Sequence, residues 1–282
     1  MRIPSSHALL FCAALLAAAG QPPVARESPG DYGAFAPSSL SVDDEVVLLG
    51  WNTPGGQKRL QRARHKQDYF QMAHNFQPQA NPLYCGIASS VIVLNSMRLP
   101  RGSAPSQSEM EVAIPARLGG GRIAYPAYSQ QTLLGALTEG VKPREIIEFR
   151  NHADEPGKLD PGLTLVQLAG VLETYDTRVE VHPASDSGAA SLDRFRATLQ
   201  SVLDDRHRFV IVNFHGRTMG APTDGHISPV AAYDELSDSV LLLDVAGYLN
   251  PWYWAPVEHL YGAMHTLDGD QYRGYLVVAD GT

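Results

Sequence analysis

Cysteine is scarce in this chain: Cys12 and Cys85 are the two in 282 residues. Two thiols cannot complete the ligand set of a zinc ribbon, and neither C-x-x-C nor H-E-x-x-H spacing occurs, so no metal held by the protein is expected. Positive charge is in deficit as well. The 22 Lys and Arg against 30 Asp and Glu leave a formal balance of −8, the wrong sign for a surface that neutralises phosphates, and nucleic acid is not expected as a partner. Long apolar runs are also missing. The run Ala8 to Ala19 has 12 residues, too few to cross a bilayer core of about 30 Å as a helix, and no later stretch reaches about 18. A stable membrane anchor is not indicated. No internal repeat is visible, which sets solenoids and propellers aside.

What is present suits a globular domain. A composition of 44% hydrophobic and 18% charged residues can fill a core, as one domain or one compact two-lobed unit. Residues 1–20 carry one Arg, then the apolar run, then small residues, the pattern of a secretory signal. The protein is therefore expected to be exported, in a bacterium to the periplasm. Residues 21–41, rich in Pro, Ser, Gly and Ala, suit a flexible leader, and the folded domain is expected over 42–282. Cys12 follows the bulky Phe11 inside the apolar run, a poor setting for lipid attachment, and leaves with the signal. One thiol, Cys85, then remains in an oxidising compartment, either packed as a small hydrophobe or put to use.

The pattern along the chain predicts helices first and a sheet later. The basic residues between Gly55 and Phe70 read as a solvated helix face. Cys85 to Met97 is apolar nearly all round and, at 13 residues, too long for a strand, so it predicts a buried helix. Pro100 to Pro126 reads as loop with one short helix near Ser108 to Ala113. Helices are further predicted over Gln130–Glu139, over Leu163–Tyr175 with Thr164 and Gln167 in capping-box spacing, and over Ser191–Asp204. Phe209–Phe214, Ile227–Tyr233, Val240–Val245 and Tyr275–Ala279 read as strands, with a turn at Asp234–Asp238 and a helix over Val257–Leu267. The class is α+β.

A thiol attacks a carbonyl as thiolate, which a helix N-terminus or a neighbouring imidazolium favours. Cys85 opens its predicted helix and so faces unpaired backbone N–H groups. Among the 10 histidines, His226 stands apart, because it leads directly into a predicted strand from which its ring can project across a cleft. Asp244 lies in VLLLDV, and a carboxylate among leucines and valines needs a partner. An antiparallel pairing of the two strands brings Asp244 to His226. Gln79, 6 residues before Cys85, can add a side-chain N–H to the backbone N–H of Cys85 as an oxyanion hole. The order Gln, Cys, His, Asp, with thiol and imidazole 141 positions apart, fits a papain-like arrangement. The Gly-Ile-Ala-Ser that follows Cys85 is not the signature of papain proteases, which argues against an ordinary endopeptidase.

Three stretches, QANPLYCGIASSVIVLNS (Gln79 to Ser96), DGHISPVAAY (Asp224 to Tyr233) and LDVAGYLNPWYW (Leu243 to Trp254), resemble the phytochelatin synthase family, in particular its short bacterial, catalytic-domain-only members. Weaker matches at Gly56–Leu60, His182–Asp186, Phe209–Asn213, Leu260–Asp268 and Arg273–Val278 extend the likeness in order along the chain. The resemblance implies a papain-like cysteine protease fold, a helical lobe carrying the nucleophile against an antiparallel sheet lobe. It implies Cys85 as nucleophile, His226 as base and acid, Asp244 orienting His226, and Gln79 in the oxyanion hole. It also implies glutathione as substrate: the thiol cleaves the Cys–Gly amide, releases glycine and holds a γ-glutamylcysteinyl thioester. Asp268 and Arg273 stand where the family binds the γ-glutamyl ammonium and carboxylate, a match for a bidentate guanidinium.

The long plant and fungal members add cysteines near the nucleophile and a cysteine-rich C-terminal region, whereas this chain stops at Thr282. Hydrolysis of glutathione is therefore expected to dominate, with phytochelatin synthesis weak or absent. No cofactor is expected on the protein; Cd or Zn would enter as a metal–glutathione thiolate substrate. The bacterial members point to a homodimer. Two other readings make different predictions. A general papain-like cysteine peptidase would cleave peptides that lack a γ-glutamyl group, and a non-catalytic glutathione-binding module would bind without turnover.

Overall fold

A computed structural model describes residues 48–102, 109–148 and 162–281. The signal and leader expected over 1–20 and 21–41 lie outside the described residues. The described chain opens with strand β1 (Leu49–Gly50) and helix α1 (Pro54–Arg62). Thr53 caps α1, its hydroxyl accepting from the Gly56 N–H at 3.1 Å, and Pro54 sits in the first turn where no N–H is needed. Helix α2 (Gln67–His74) follows. The basic run between them is less solvated than the sequence suggests, because Arg62 forks onto Asp234 with Nε 2.9 Å from Oδ1. Helix α3 (Cys85–Arg98) is buried at all 14 positions, as its unbroken apolar character requires.

The short helix expected near Ser108 to Ala113 is not found. Residues 109–113 instead form strand β2 (Glu109–Ala113), paired with β3 (Arg122–Pro126) in a hairpin. The physical reason is the period: Met110 and Val112 alternate with charged or small residues and pair with Tyr125 and Ile123. Gly119, Gly120 and Gly121, all at positive φ, turn the chain between the strands. Helix α4 (Gln130–Leu133) is shorter than the 130–139 expected, since Leu134 is already extended and Thr138 Oγ1 takes the Gly135 N–H at 3.0 Å. Helix α5 (Arg144–Ile147) precedes α6 (Leu165–Glu173), where Thr164 and Gln167 form the expected capping box.

Strand β4 (Thr177–Pro183), helix α7 (Ala189–Leu203) and strands β5 (Arg208–His215), β6 (Gly225–Asp234), β7 (Ser239–Leu242) and β8 (Tyr253–Pro256) follow. Helix α8 (Val257–Met264), a small hairpin of β9 (Leu267–Asp268) and β10 (Gln271–Tyr272), and β11 (Gly274–Asp280) complete the chain. Seven strands make one antiparallel sheet in the order β1-β8-β7-β6-β5-β11-β4. The class is α+β, as expected.

Both faces of this sheet are covered, which explains why its strands are apolar at nearly every position. On β5, Phe209 and Ile211 join the core shared with α3 and α6, whereas Val210, Val212 and Phe214 join the core shared with α7 and α8. On β11, Leu276 and Val278 face the first core and Tyr275 and Val277 the second. Helix α3 packs against β6, and that contact places the functional residues. Among the described residues no helix is long and apolar enough to cross a membrane.

Candidate active site

Cys85 is the first residue of α3, and the seating of that helix on β6 decides where its thiol goes. Gly86 permits the approach: a Cβ there would lie 3.3 Å from Ile227 Cδ1 and 3.4 Å from both Leu163 Cδ1 and Leu168 Cδ1. One turn on, Ser89 Oγ donates to the Ile227 carbonyl at 3.2 Å. The start of α3 is thereby fastened beside Ile227, the neighbour of His226. The segment before it is ordered too. Gln130 clamps it, accepting from the Ala80 N–H at 2.8 Å and donating to the Pro78 carbonyl at 2.9 Å, and Asn81 Oδ1 accepts from the Leu83 N–H at 2.9 Å.

His226 lies at the start of β6, with the edge of its ring against Phe214 at 5.6 Å between centroids. Its Nε2 donates to Asp244 Oδ1 at 2.8 Å, and both residues are buried. The Cys85 thiol acts electrostatically on the same imidazole. Since Nε2 is taken by the carboxylate, Nδ1 is left for sulfur. Burial pulls the imidazole down, but the Asp244 charge and hydrogen bond, followed by Cys85, outweigh it and push His226 up to about 10. A protonated ring at neutral pH is the partner a thiolate needs.

Asp244 follows the end of β7 rather than lying within the strand, which was expected to run to Val245. It still reaches His226, because the Leu243 N–H bonds the Pro229 carbonyl at 3.0 Å and continues the pairing by one step. Both its oxygens are bonded: Oδ1 also accepts the Ala246 N–H at 2.8 Å, and Oδ2 accepts Asn250 Nδ2 at 3.0 Å. The carboxylate that orients the imidazole thus also fixes the turn from Ala246 to Asn250. Gln79 is tied to that turn, its N–H bonding the Val245 carbonyl at 2.8 Å and its Nε2 donating to the Tyr248 hydroxyl at 2.8 Å.

Asp268 and Arg273 flank the β9–β10 hairpin and meet, with Arg273 Nη2 3.1 Å from Asp268 Oδ1. Asn213 Nδ2 donates to the other Asp268 oxygen at 3.2 Å. The guanidinium lies against Gly225, where a Cβ would come within 2.8 Å of Nη2 and would displace it. The guanidinium therefore lies beside the residue that precedes His226 on β6. A cavity of about 210 Å³ opens beside the pair, lined by Thr164, Gln167 and residues 268–271.

All six residues singled out in the sequence lie in two adjoining groups, Gln79 with Cys85, His226 and Asp244, and Asp268 with Arg273. Sequence reasoning missed Asn250, Gln130, Tyr248 and Asn213. Asn213 could have been found, being the one polar residue within the apolar stretch Phe209–Phe214, the same signal that marked Asp244. Nothing in the sequence marks Tyr248 or Gln130.

Comparison with known proteins gives the site a family context. The family model described as "Phytochelatin synthase" matches residues 41–112 and 125–275, and so contains all six positions. The gap, 113–124, falls on the far end of the β2–β3 hairpin. A protein of Lotus japonicus named glutathione γ-glutamylcysteinyltransferase 3 is 25% identical over 89% of this chain and 45% of its own length. A glutathione γ-glutamylcysteinyltransferase of Schizosaccharomyces pombe is 25% identical over 78% of this chain and 45% of its own. One of Arabidopsis thaliana, numbered 2, is 24% identical over 76% and 40%. The chain spans less than half the length of these curated relatives.

Proposed function

The chain belongs to the phytochelatin synthase family, and from that premise we propose that it is a papain-like cysteine acyltransferase acting on glutathione. One observation carries the reading: a buried imidazole held by Asp244 at 2.8 Å and coupled electrostatically to a thiol at the start of a helix. The names of the relatives, which specify γ-glutamylcysteinyl transfer, support the choice of substrate.

In this reading the Cys85 thiolate adds to the Cys–Gly carbonyl of glutathione, and the carbonyl electron pair moves onto oxygen. The tetrahedral adduct collapses, the C–N bond breaks, and the departing nitrogen takes the His226 proton, so glycine leaves as an amine. A γ-glutamylcysteinyl thioester remains. Neutral His226 then takes a proton from water or from the amine of a second glutathione as its oxygen or nitrogen adds to the thioester carbon. The C–S bond breaks, Cys85 leaves as thiolate, and γ-glutamylcysteine or the elongated peptide is released. The Asp268–Arg273 pair opens to admit the γ-glutamyl end, whose ammonium replaces Arg273 at Asp268 while its carboxylate takes the guanidinium. The position of Arg273 against Gly225, beside His226, supports this placement.

Water is the main acceptor in this proposal. Cys85 is the one free cysteine among the described residues, so a metal thiolate would have to bring its own sulfur, as a Cd or Zn complex of glutathione. The signal-like run Ala8 to Ala19 supports an exported enzyme. The test is mass spectrometry of the protein incubated with glutathione, with and without Cd²⁺ or Zn²⁺, beside a Cys85→Ala control. Glycine and γ-glutamylcysteine without elongated product are expected, and Cys85→Ala should release neither. Glycine release by Cys85→Ala removes the mechanism, abundant elongated product makes transfer the main activity, and cleavage of peptides lacking γ-glutamate makes the protein a general peptidase.

A further inference from the structure

We propose that Tyr248 is a second side-chain donor of the oxyanion hole, its phenol O–H meeting the developing negative oxygen beside Gln79. The inference rests on the acyl-transfer reading above and adds a residue to it.

The geometry begins with Gln79. Its Nε2 gives one proton to the Tyr248 hydroxyl at 2.8 Å and retains a second. Because the hydroxyl accepts from Gln79, its own proton is left to donate, and among the described residues it has no acceptor. A phenol polarised by an incoming hydrogen bond is the stronger donor. Tyr248 is 45% exposed, whereas its partner Gln79 is buried. Its surroundings include the reacting group: burial first, then the charges of Cys85 and Asp244, hold the phenol above its ordinary range against the pull of Gln79. It therefore keeps its proton at neutral pH.

The hydroxyl is also held in place. Tyr248 sits in the turn that Asp244 fastens through Ala246 and Asn250, and the Leu249 N–H closes that turn on the Ala246 carbonyl at 2.7 Å. Gln79 is bonded to the same turn through Val245. The carboxylate that orients the imidazole thus indirectly sets the position of both amide and phenol. Such fixed donors act where charge develops, which is where they stabilise a transition state rather than a ground state. When sulfur adds to the amide carbon and the carbonyl pair moves to oxygen, that oxygen accepts from Gln79 Nε2 and Tyr248 Oη. When the pair returns and the C–N bond breaks, both bonds weaken again.

The test compares wild type, Tyr248→Phe, Gln79→Ala and the double variant in two assays on the whole chain. The first is glycine release from glutathione, resolved into kcat and KM. The second is alkylation of Cys85 by iodoacetamide, a displacement at carbon that forms no oxyanion. Tyr248→Phe should lower kcat by on the order of 10² with KM and the alkylation rate held within about twofold. Alkylation at the wild-type rate also certifies a folded site. The double variant should lose less than the product of the single losses, because amide and phenol act as one unit. An unchanged kcat overturns the proposal, and so does a fall in kcat matched by an equal fall in alkylation, which would make Tyr248 a support for the thiol. Glycine release by Cys85→Ala is a different failure, that of the acyl-transfer reading itself.

Discussion

Helices α3 and α7 lie on opposite faces of one sheet and are nearly equal in length, at 14 and 15 residues, yet they are held in different ways. Helix α7 is amphipathic: Phe195, Leu199, Val202 and Leu203 are buried at helical spacing and the opposite side is wet. Helix α3 has no wet side. Its polar groups are each bonded within the protein, Ser89 to Ile227, Ser90 to Gly86, Asn95 to Tyr128 and Arg98 to Tyr128 and Asp280. Helix α7 has directional bonds too, Arg196 to Asp238 and Ser191 to Asp186, but these involve partly exposed side chains, whereas those of α3 are buried, where a hydrogen bond is stronger and its loss costs more. The chemistry sits on the pinned helix.

Loss of charge at the end of this pinned network is expected to have the largest effect. Asp244→Asn keeps the shape of the side chain but removes the charge that outweighs burial at His226 and offers Nε2 an ambiguous partner. The kcat for glycine release should fall by on the order of 10³, and the alkaline limb of Cys85 alkylation should move down from about 10 toward the ordinary histidine value of 6.5. An unchanged pH profile would show that Asp244 does not govern the imidazole.

The complementary test lies on the other face. Phe195 is fully buried with its ring 4.7 Å from Tyr275 and 5.7 Å from Tyr261. Phe195→Ala should cost about 3–5 kcal/mol of stability, read by denaturant unfolding. The folded enzyme should keep its kcat. A kcat that falls with stability would mean that the two faces are coupled and would break the contrast between α3 and α7.

A third effect is titration of the buried ring. The folded value of His226, about 10, lies above its unfolded value of 6.5, so the folded state binds the extra proton between them. Its stabilisation is complete below pH 6.5 and is lost as pH rises through about 10. The melting temperature of wild type should decline over that window, and His226→Gln should flatten the decline. A flat wild-type curve would contradict a protonated His226.

These contrasts also explain what the sequence disclosed. The core of α3, the strands β5, β6, β7 and β11, and the α6 capping box were legible because each is a local pattern of period or cap. Cys85, His226 and Asp244 were legible because each breaks such a pattern, as a lone thiol at a helix start, a histidine at a strand start and a carboxylate in an apolar run. Tyr248 and Gln130 were not, since a tyrosine in a turn and a glutamine beside a serine are ordinary locally. Their roles arise from partners 169 and 52 positions away or less, which only the fold brings near. Strand β4 was missed although Val179 and Val181 alternate with charged residues, and the β2–β3 hairpin was hidden among glycines and prolines.

The smallest effect belongs to a buried carboxylate on the helix that packs beside α3. Asp68, on α2, is fully buried, and neither of its oxygens has a hydrogen-bond partner among the described residues. Burial first, then the charges of Asp205 and Asp204, raises its pKa well above the usual carboxylate range. A raised acid has the opposite consequence from a lowered one: the folded state holds the proton longer, so stability falls as pH climbs from the ordinary carboxylate value through the folded one. Asp68→Asn removes the titrating charge at nearly constant volume. It should stabilise the protein by about 1–3 kcal/mol at pH 8 and leave little difference at pH 4, where both side chains are neutral. Melting curves of the two proteins at both pH values decide it. Equal stability at pH 8 would mean that the Asp68 carboxylate is satisfied after all, and its burial beside α3 would then carry no cost.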